Sequence, residues 1–380
     1  MIGLTETRIL FPSLGAMRRM RNARPPSGLG FCRSFLILLF FSASLAQAQQ
    51  VSQEIRFSVL GLFHPRELVL EQGSVQVVSV ARGERAGAST LVLNSEPGHR
   101  LVVFRVEGDR VIAGDKSATS WTATARNGGS VALRLSVPGK IHRQYWGHIT
   151  ISAHKAELVA VVSIDRETAV ASIVAAEMDE NSPIEALKAQ AVATRSFLAA
   201  GARHADFDFC DSTHCQFLKS PPPPSSRVFS AVQATRGLVI EYKEKPLAAL
   251  YSSRCGGQTR SLQDSNLDAG DGYPYYSVPC RWCQQHPFVW RSRVGSGGHA
   301  PKPGDENQRI AEARQWGWSA IPSSDFTATQ DSSGWQLEGH GVGHGIGMCQ
   351  HGAVGMANAG AGFREILDHY YPNTTLVVQP

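Results

Sequence analysis

Ile173-Val-Ala-Ala-Glu-Met178 runs into the break Asn181-Ser-Pro183, and Ile184-Glu-Ala-Leu-Lys-Ala-Gln-Ala-Val-Ala-Thr-Arg-Ser-Phe-Leu198 follows. Apolar Val170, Ile173 and Val174 recur at helical spacing and predict a helix over Glu167–Met178. Asn181-Ser182-Pro183 reads as a stop followed by a fresh start. Ser182 is expected to cap the second helix, Pro183 to sit in its first turn, and Glu185 to complete a capping box. Ile184, Leu187, Ala191, Thr194 and Leu198 then fall on one face of a helix reaching about Ala200. Its many alanines favour helix and allow close neighbours.

Upstream the pattern is that of strands. Val75–Val80 and Leu101–Phe104 are β-branched or aromatic runs, and Ser130–Val137 alternates polar with apolar, as a half-buried strand should. Leu158–Ser163 is a further strand. Residues 49–150 hold no cysteine and no dense titratable cluster, so they read as a β-rich N-terminal module for support or binding. Residues 151–380 read as a mixed α/β catalytic domain built on the Ala-rich helix, which makes the whole α+β. Within it, His204–Lys219 is an irregular loop, Pro221–Pro224 a polyproline spacer, and Phe229–Thr235 a short helix. Leu238–Tyr242 and Leu247–Tyr251 read as paired strands. A polar loop covers Gly295–Gln308, Ile310–Trp316 is helical, and Gly339–Gly347 is a Gly-His loop. Helices over Gly352–Ala359 and Phe363–Tyr371 close the chain. No repeat recurs at a fixed period.

Of the 380 residues, 37 are Lys or Arg and 32 are Asp or Glu, a net charge of +5. That excess sits at the start. Residues 1–48 carry Arg8, Arg18, Arg19, Arg21, Arg24 and Arg33 against Glu6 alone, so the rest of the chain is balanced. A basic nucleic-acid binder is therefore not expected. The arginines precede the apolar run Phe35–Phe41, which continues to Leu45, and Ala46-Gln-Ala48 follows. This is the pattern of a secretory signal peptide over residues 1–48, with Met17 or Met20 as possible starts. The apolar run is shorter than the roughly 20 residues a membrane span needs. The expected location is the periplasm or the extracellular wall, with no membrane span left after cleavage.

Export removes Cys32 and leaves Cys210, Cys215, Cys255, Cys280, Cys283 and Cys349. An even count in an oxidising compartment favours disulfides, whereas clustered Cys and His favour zinc. His204, Cys210, His214 and Cys215 fall within a dozen residues, and two thiolates with two imidazoles are a tetrahedral zinc set. Four protein ligands leave no open position, so such a zinc is structural. The alternative is a Cys210–Cys215 disulfide. Cys280-Arg-Trp-Cys283, Cys255 and Cys349 form a second set, consumed either by two disulfides or by one four-thiolate zinc. No thioredoxin-like pattern surrounds it. Gly339–Gly347 alternates glycine with other residues but lacks the P-loop lysine and a strand-to-helix setting, which argues against nucleotides.

Four segments resemble the stage II sporulation protein D family, which includes the amidase-enhancer proteins. They are Ala176-Glu-Met178 with Pro183–Phe197; Cys210-Asp-Ser-Thr-His-Cys-Gln216; Thr235–Tyr242 with Tyr251-Ser-Ser-Arg-Cys-Gly-Gly-Gln-Thr259; and Gly343–Ala353 with Ile366–Pro372. The resemblance spans about Tyr145 to Leu376. It implies a peptidoglycan lytic transglycosylase that cuts between N-acetylmuramic acid and N-acetylglucosamine, prefers strands without stem peptides, and leaves a 1,6-anhydro sugar. It also implies a runner-up, a non-catalytic enhancer of a cell-wall amidase. Its implied site is Glu177 as acid then base, with Arg195 and Tyr251 as further catalytic residues. Ser253, His344 and Gln350 line the cleft, and zinc sits at His204, Cys210, His214 and Cys215. No organic cofactor is needed. One carboxyl suffices because the substrate's own 6-hydroxyl attacks the anomeric carbon, whereas most glycosidases use two. Such a carboxyl belongs in a partly desolvated cleft.

Overall fold

A computed structural model describes residues 54–72, 75–80, 100–125, 129–212, 214–268, 272–295 and 300–379. The signal sequence expected over 1–48 lies outside the described residues.

Strands β1 (Glu54–Val59), β2 (Glu67–Gln72), β3 (Val75–Val80), β4 (Arg100–Glu107), β5 (Arg110–Ala113), β6 (Lys116–Ala118), β7 (Ser120–Ala125), β8 (Val131–Val137), β9 (Ile141–His154) and β10 (Glu157–Asp165) build the β-rich part. A distant two-residue strand, β11 (Phe209–Cys210), joins its edge by pairing parallel with β1. The order is β11-β1-β10-β9-β8-β2-β4-β5-β6, with β7 and β3 branching from β9.

The branch has a single-residue cause. Residues 141–147 of β9 pair with β8, residues 148–154 pair with β10, and residues 149–152 also pair with β7. Gly147 sits at the changeover with φ 134, and a Cβ there would lie 2.1 Å from the Ser163 carbonyl oxygen. Only glycine allows both that backbone angle and that approach.

Helix α1 (Arg166–Glu177) follows β10 directly. Asp165 caps it, its carboxylate accepting from the Glu167 and Thr168 N–H groups at 3.0 and 3.1 Å. Val170, Ile173 and Val174 share one continuous core with Ile149, Ile151, Val162 and Ile164 of the sheet. A division at residue 150 therefore falls inside β9 and across this core.

Helix α2 (Ile184–Ala199) is the centre of the α+β fold. Leu187, Ala191 and Leu198 face the first core, while Ala186, Ala189, Val192 and Ala193 face a second. A helix apolar on both sides is buried all round, and alanines let both neighbours come close. Its start differs from expectation. Pro183 is the N-cap and gives no side-chain bond. Glu185 does not turn back to close a capping box. Its carboxylate accepts from Lys188 Nζ at 2.7 Å and from the Phe363 N–H at 2.9 Å. A tertiary partner has replaced the local one.

Helix α3 (Arg227–Ala234) puts Val228, Ala231 and Val232 into the first core. The second core is closed by β12 (Leu238–Tyr242), with which β13 (Lys245–Pro246) pairs, and by β14 (Tyr251–Ser252), α4 (Arg281–Gln285), β18 (Met348–Cys349), α6 (Gln350–Asn358), α7 (Phe363–Tyr370) and β19 (Thr375–Val378). The strand expected over Leu247–Tyr251 is not continuous. β13 is only two residues long, and residues 247–250 leave the ladder. Leu247 and Ala249 turn into the core, and tyrosine hydroxyls of Tyr275 and Tyr371 satisfy the Ala248 and Leu250 carbonyls. Strands β15 (Val289–Val294), β16 (Phe326–Asp331) and β17 (Gly334–His340) form a separate three-stranded sheet beside α5 (Glu306–Trp316), which begins four residues before Ile310. Among the described residues, no helix is long and apolar enough to cross a membrane.

Candidate active site

Glu177 is the last residue of α1. The next residue, Met178, is already extended. A turn closes behind it, with the Asn181 N–H donating to Asp179 Oδ1 at 2.8 Å and the Ser182 N–H to the Asp179 carbonyl at 3.0 Å. The Glu177 side chain is half-buried. Burial pushes its carboxyl above the usual range, while a hydrogen bond from Gln350 and the charge of Lys219 pull the other way.

Gln350 opens α6. Its Nε2 also donates to Gln190 Oε1 on α2 at 3.3 Å, and Gln190 Nε2 in turn donates to Thr194 Oγ1 at 3.2 Å. Thr194 hydrogen-bonds the Tyr251 hydroxyl, which donates onward to Gln216 Oε1. Burial raises the Tyr251 phenol well above its ordinary range, and the nearby charge of Glu177 adds to this. One polar network thus links the end of α1, the buried face of α2, the start of α6, β14 and the loop after β11. Gln190 and Thr194 are fully buried, and a buried polar side chain must find such partners. An open depression of about 580 Å³ lies over the turn that follows α1. It is lined by Asp179, Asn181, Ser182, Pro183, Arg227, Val354 and Asn358, and Glu177 is not among the lining residues.

The loop carrying Gln216 and Lys219 is held by two devices. Asp211 is buried and accepts from Arg143 and from the Tyr145 hydroxyl, both at 3.0 Å, and from the Leu60 N–H at 3.3 Å. Burial, opposed by these bonds, lifts its carboxyl to about 6. Beside it, the ligand atoms of His204, Cys210, His214 and Cys215 all lie within 4.8 Å of one another. Cys210 Sγ is 3.1 Å from Cys215 Sγ, His204 Nε2 is 3.2 Å from Cys215 Sγ, and His214 Nδ1 is 3.4 Å from Cys215 Sγ. Both thiols are free. The donor set and spacing fit a tetrahedral Cys2His2 ion with bonds of about 2.0–2.3 Å.

A family model described as stage II sporulation protein matches residues 154–242. Stage II sporulation protein D of Bacillus amyloliquefaciens is 25% identical over 268 residues, covering 59% of this chain and 77% of that one. An uncharacterized protein of Brachyspira hyodysenteriae (strain ATCC 49526 / WA1) is 29% identical over 269 residues, covering 62% of this chain and 72% of that one. The amidase enhancer of Bacillus subtilis (strain 168) is 45% identical over 60 residues, 16% of this chain and 8% of the enhancer. The chain is thus similar to the stage II sporulation protein D family, by the model over residues 154–242 and by these relatives.

Not every expected side chain reaches Glu177. Arg195 does not. It is fully buried and makes a bidentate pair with Glu167, Nε and Nη2 each donating at 2.7 Å, while Nη1 donates to the Leu238 carbonyl at 3.1 Å. Glu167 starts α1 and Glu177 ends it, so at about 1.5 Å per residue the pair sits roughly 15 Å from the candidate acid. Arg195 ties α2 to α1 and β12 and is a structural residue here. His344 uses its ring on backbone, Nδ1 accepting from the Ile346 N–H at 3.0 Å and the ring also bonding the Tyr251 main chain. It pins the Gly-rich loop to β14, and burial holds its pKa below the usual value. Ser253 is exposed, and its carbonyl accepts from the His351 N–H at 3.1 Å. Gln190, Thr194, Gln216 and Lys219 were not expected at the site. Gln216 closes the Cys210–Gln216 segment, which was the one signal that could have found it.

Proposed function

We propose that the protein is an exported peptidoglycan lytic transglycosylase. It cleaves the N-acetylmuramic acid–N-acetylglucosamine bond of glycan strands, preferentially those without stem peptides, and leaves a 1,6-anhydro end. The observation that carries this reading is Glu177: a half-buried carboxyl with raised proton affinity, hydrogen-bonded to Gln350. Similarity to curated proteins named stage II sporulation protein D and amidase enhancer supports a cell-wall role.

In this mechanism the protonated Glu177 donates to the glycosidic oxygen as the bond to the anomeric carbon breaks. The resulting carboxylate then takes the proton of the substrate's 6-hydroxyl as that oxygen bonds the same carbon. One bond breaks, one forms, and no water is consumed. The Gln350 amide and the Lys219 charge favour the ionised carboxylate at mid-reaction, while burial restores the acid at the end. Tyr251 is held by Thr194 and Gln216, which fixes its hydroxyl within the network that reaches Glu177. Zinc held by His204, Cys210, His214 and Cys215 would serve structure, since four protein ligands leave no place for a reacting water. Held there, the ion would fix the loop that carries Gln216 and Lys219, the residues that follow the ligands.

The match to the amidase enhancer favours a second reading, a wall-binding partner of an amidase with no chemistry of its own. Glu177→Gln separates the two on purified strands lacking stem peptides. The first reading requires anhydro ends from the wild type and none from the variant, with binding retained. Strand binding by both proteins with no anhydro ends from either supports the second.

A further inference from the structure

A second cysteine set, remote in sequence from the first, converges on one point. The sulfurs of Cys255, Cys280, Cys283 and Cys349 all lie within 4.8 Å of one another, and all four residues are buried, none more than 6% exposed. They come from three separated segments: the turn after β14, the first turn of α4, and the end of β18. All four thiols are free. We propose that these four thiolates bind one zinc ion, a structural site distinct from the Cys2His2 cluster.

Three observations carry this. The first is spacing. A tetrahedral ion with Zn–S bonds of about 2.3 Å places its sulfurs about 3.8 Å apart, and Cys283 and Cys349 stand 3.5 Å apart. Two disulfides would need two pairs at about 2.05 Å and would give no reason for the pairs to share a centre. The second is the surroundings. The Gly352 N–H donates to Cys349 Sγ at 3.3 Å, and the Tyr370 hydroxyl lies 3.5 Å from Cys280 Sγ. Donors of this kind orient thiolates and spread the negative charge of a four-thiolate ion. The third is a cradle built of glycine. A Cβ on Gly352 would lie 2.5 Å from Cys280 Sγ, and one on Gly355 would lie 2.4 Å from the Trp282 ring. Helix α6 can press on the Cys280-x-x-Cys283 turn only because neither position has a side chain.

Binding releases the thiol protons to solvent and joins the three segments. The parallel pair β14–β18 sets Tyr251 against Met348 and Ser252 against Cys349, so the ion fixes the strand end that carries Tyr251 and the residue before Gln350. This site stands whether or not the chain cleaves glycan.

The test is metal content by elemental analysis of the full chain, purified without chelator or reductant. Two zinc per chain are expected for the wild type. One is expected for the double variant Cys280→Ser/Cys283→Ser, and one for Cys210→Ser/Cys215→Ser. Should a variant fail to fold, the wild type still decides. After denaturation with chelator and alkylation without reductant, peptide mapping should find Cys255, Cys280, Cys283 and Cys349 all alkylated. Disulfide-linked peptides containing any of them would overturn the site. Zinc content unchanged by Cys280→Ser/Cys283→Ser, or iron in place of zinc, would overturn it too.

Discussion

Arg195→Met is the perturbation that best separates structure from chemistry in this fold. The guanidinium is fully buried, donates twice to Glu167 at 2.7 Å, and satisfies the Leu238 carbonyl at 3.1 Å. Removing it leaves the Glu167 carboxylate, only 8% exposed, without its counter-charge. Breaking a buried pair from one side costs about 3–5 kcal/mol, and the orphaned carbonyl adds about 1 kcal/mol. A loss of about 4–6 kcal/mol is therefore expected. At roughly 2–4 °C per kcal/mol for chains of this order of size, the melting temperature should fall by about 10–20 °C. The double variant Glu167→Gln/Arg195→Met, which leaves no bare charge, should recover a large part of this. Urea unfolding of the single and double variants measures it. Glycan cleavage, assayed where the variant is still folded, should stay within several-fold of wild type. A variant of wild-type stability that has lost cleavage a hundredfold or more would refute the reasoning and return Arg195 to the catalytic machinery.

Gln350→Leu removes a bond that favours the ionised Glu177, so the carboxyl should rise further above its usual range. The acid must be protonated to act, so activity is lost as pH rises through the folded-state pKa. The alkaline limb of the rate profile should therefore move to higher pH in this variant while the maximal rate falls. Glu177→Gln should be no less stable than wild type at neutral pH. A carboxyl whose folded pKa is raised binds its proton more tightly folded than unfolded, so its contribution to stability declines as pH rises between the two values. Urea unfolding at neutral and acidic pH should show the variant's advantage shrinking in acid. Gly147→Ala should cost about 2–6 kcal/mol from a disfavoured φ and a clash with the Ser163 carbonyl, read as a lower urea midpoint.

Helices α1 and α2 were legible because their apolar spacing is regular and Asn181-Ser-Pro183 separates them. The Cys2His2 set was legible because its four ligands are neighbours in sequence. What escaped depends on contacts across the chain. Arg195 resembled a cleft residue, but its partner Glu167 lies 28 residues earlier, on another helix. Helical spacing puts Thr194 on one face with Ile184, Leu187, Ala191 and Leu198. In a helix buried all round, however, a polar residue can face a neighbouring element, and Thr194 meets Gln190 and Tyr251. Glu185 had the local pattern of a capping box, yet the Phe363 N–H claims its carboxylate. The sheet β15-β17-β16 gave little warning, since its strands bury few side chains and carry many charges at their surface.

The central claim is that the sugar closes on itself through one carboxyl, without water. Digesting purified glycan strands in water enriched in oxygen-18 tests it most directly. The account predicts anhydro-ended products that carry no label, and no products at all from Glu177→Gln. Reducing ends bearing the heavy oxygen would show that water attacks the anomeric carbon, and would contradict it.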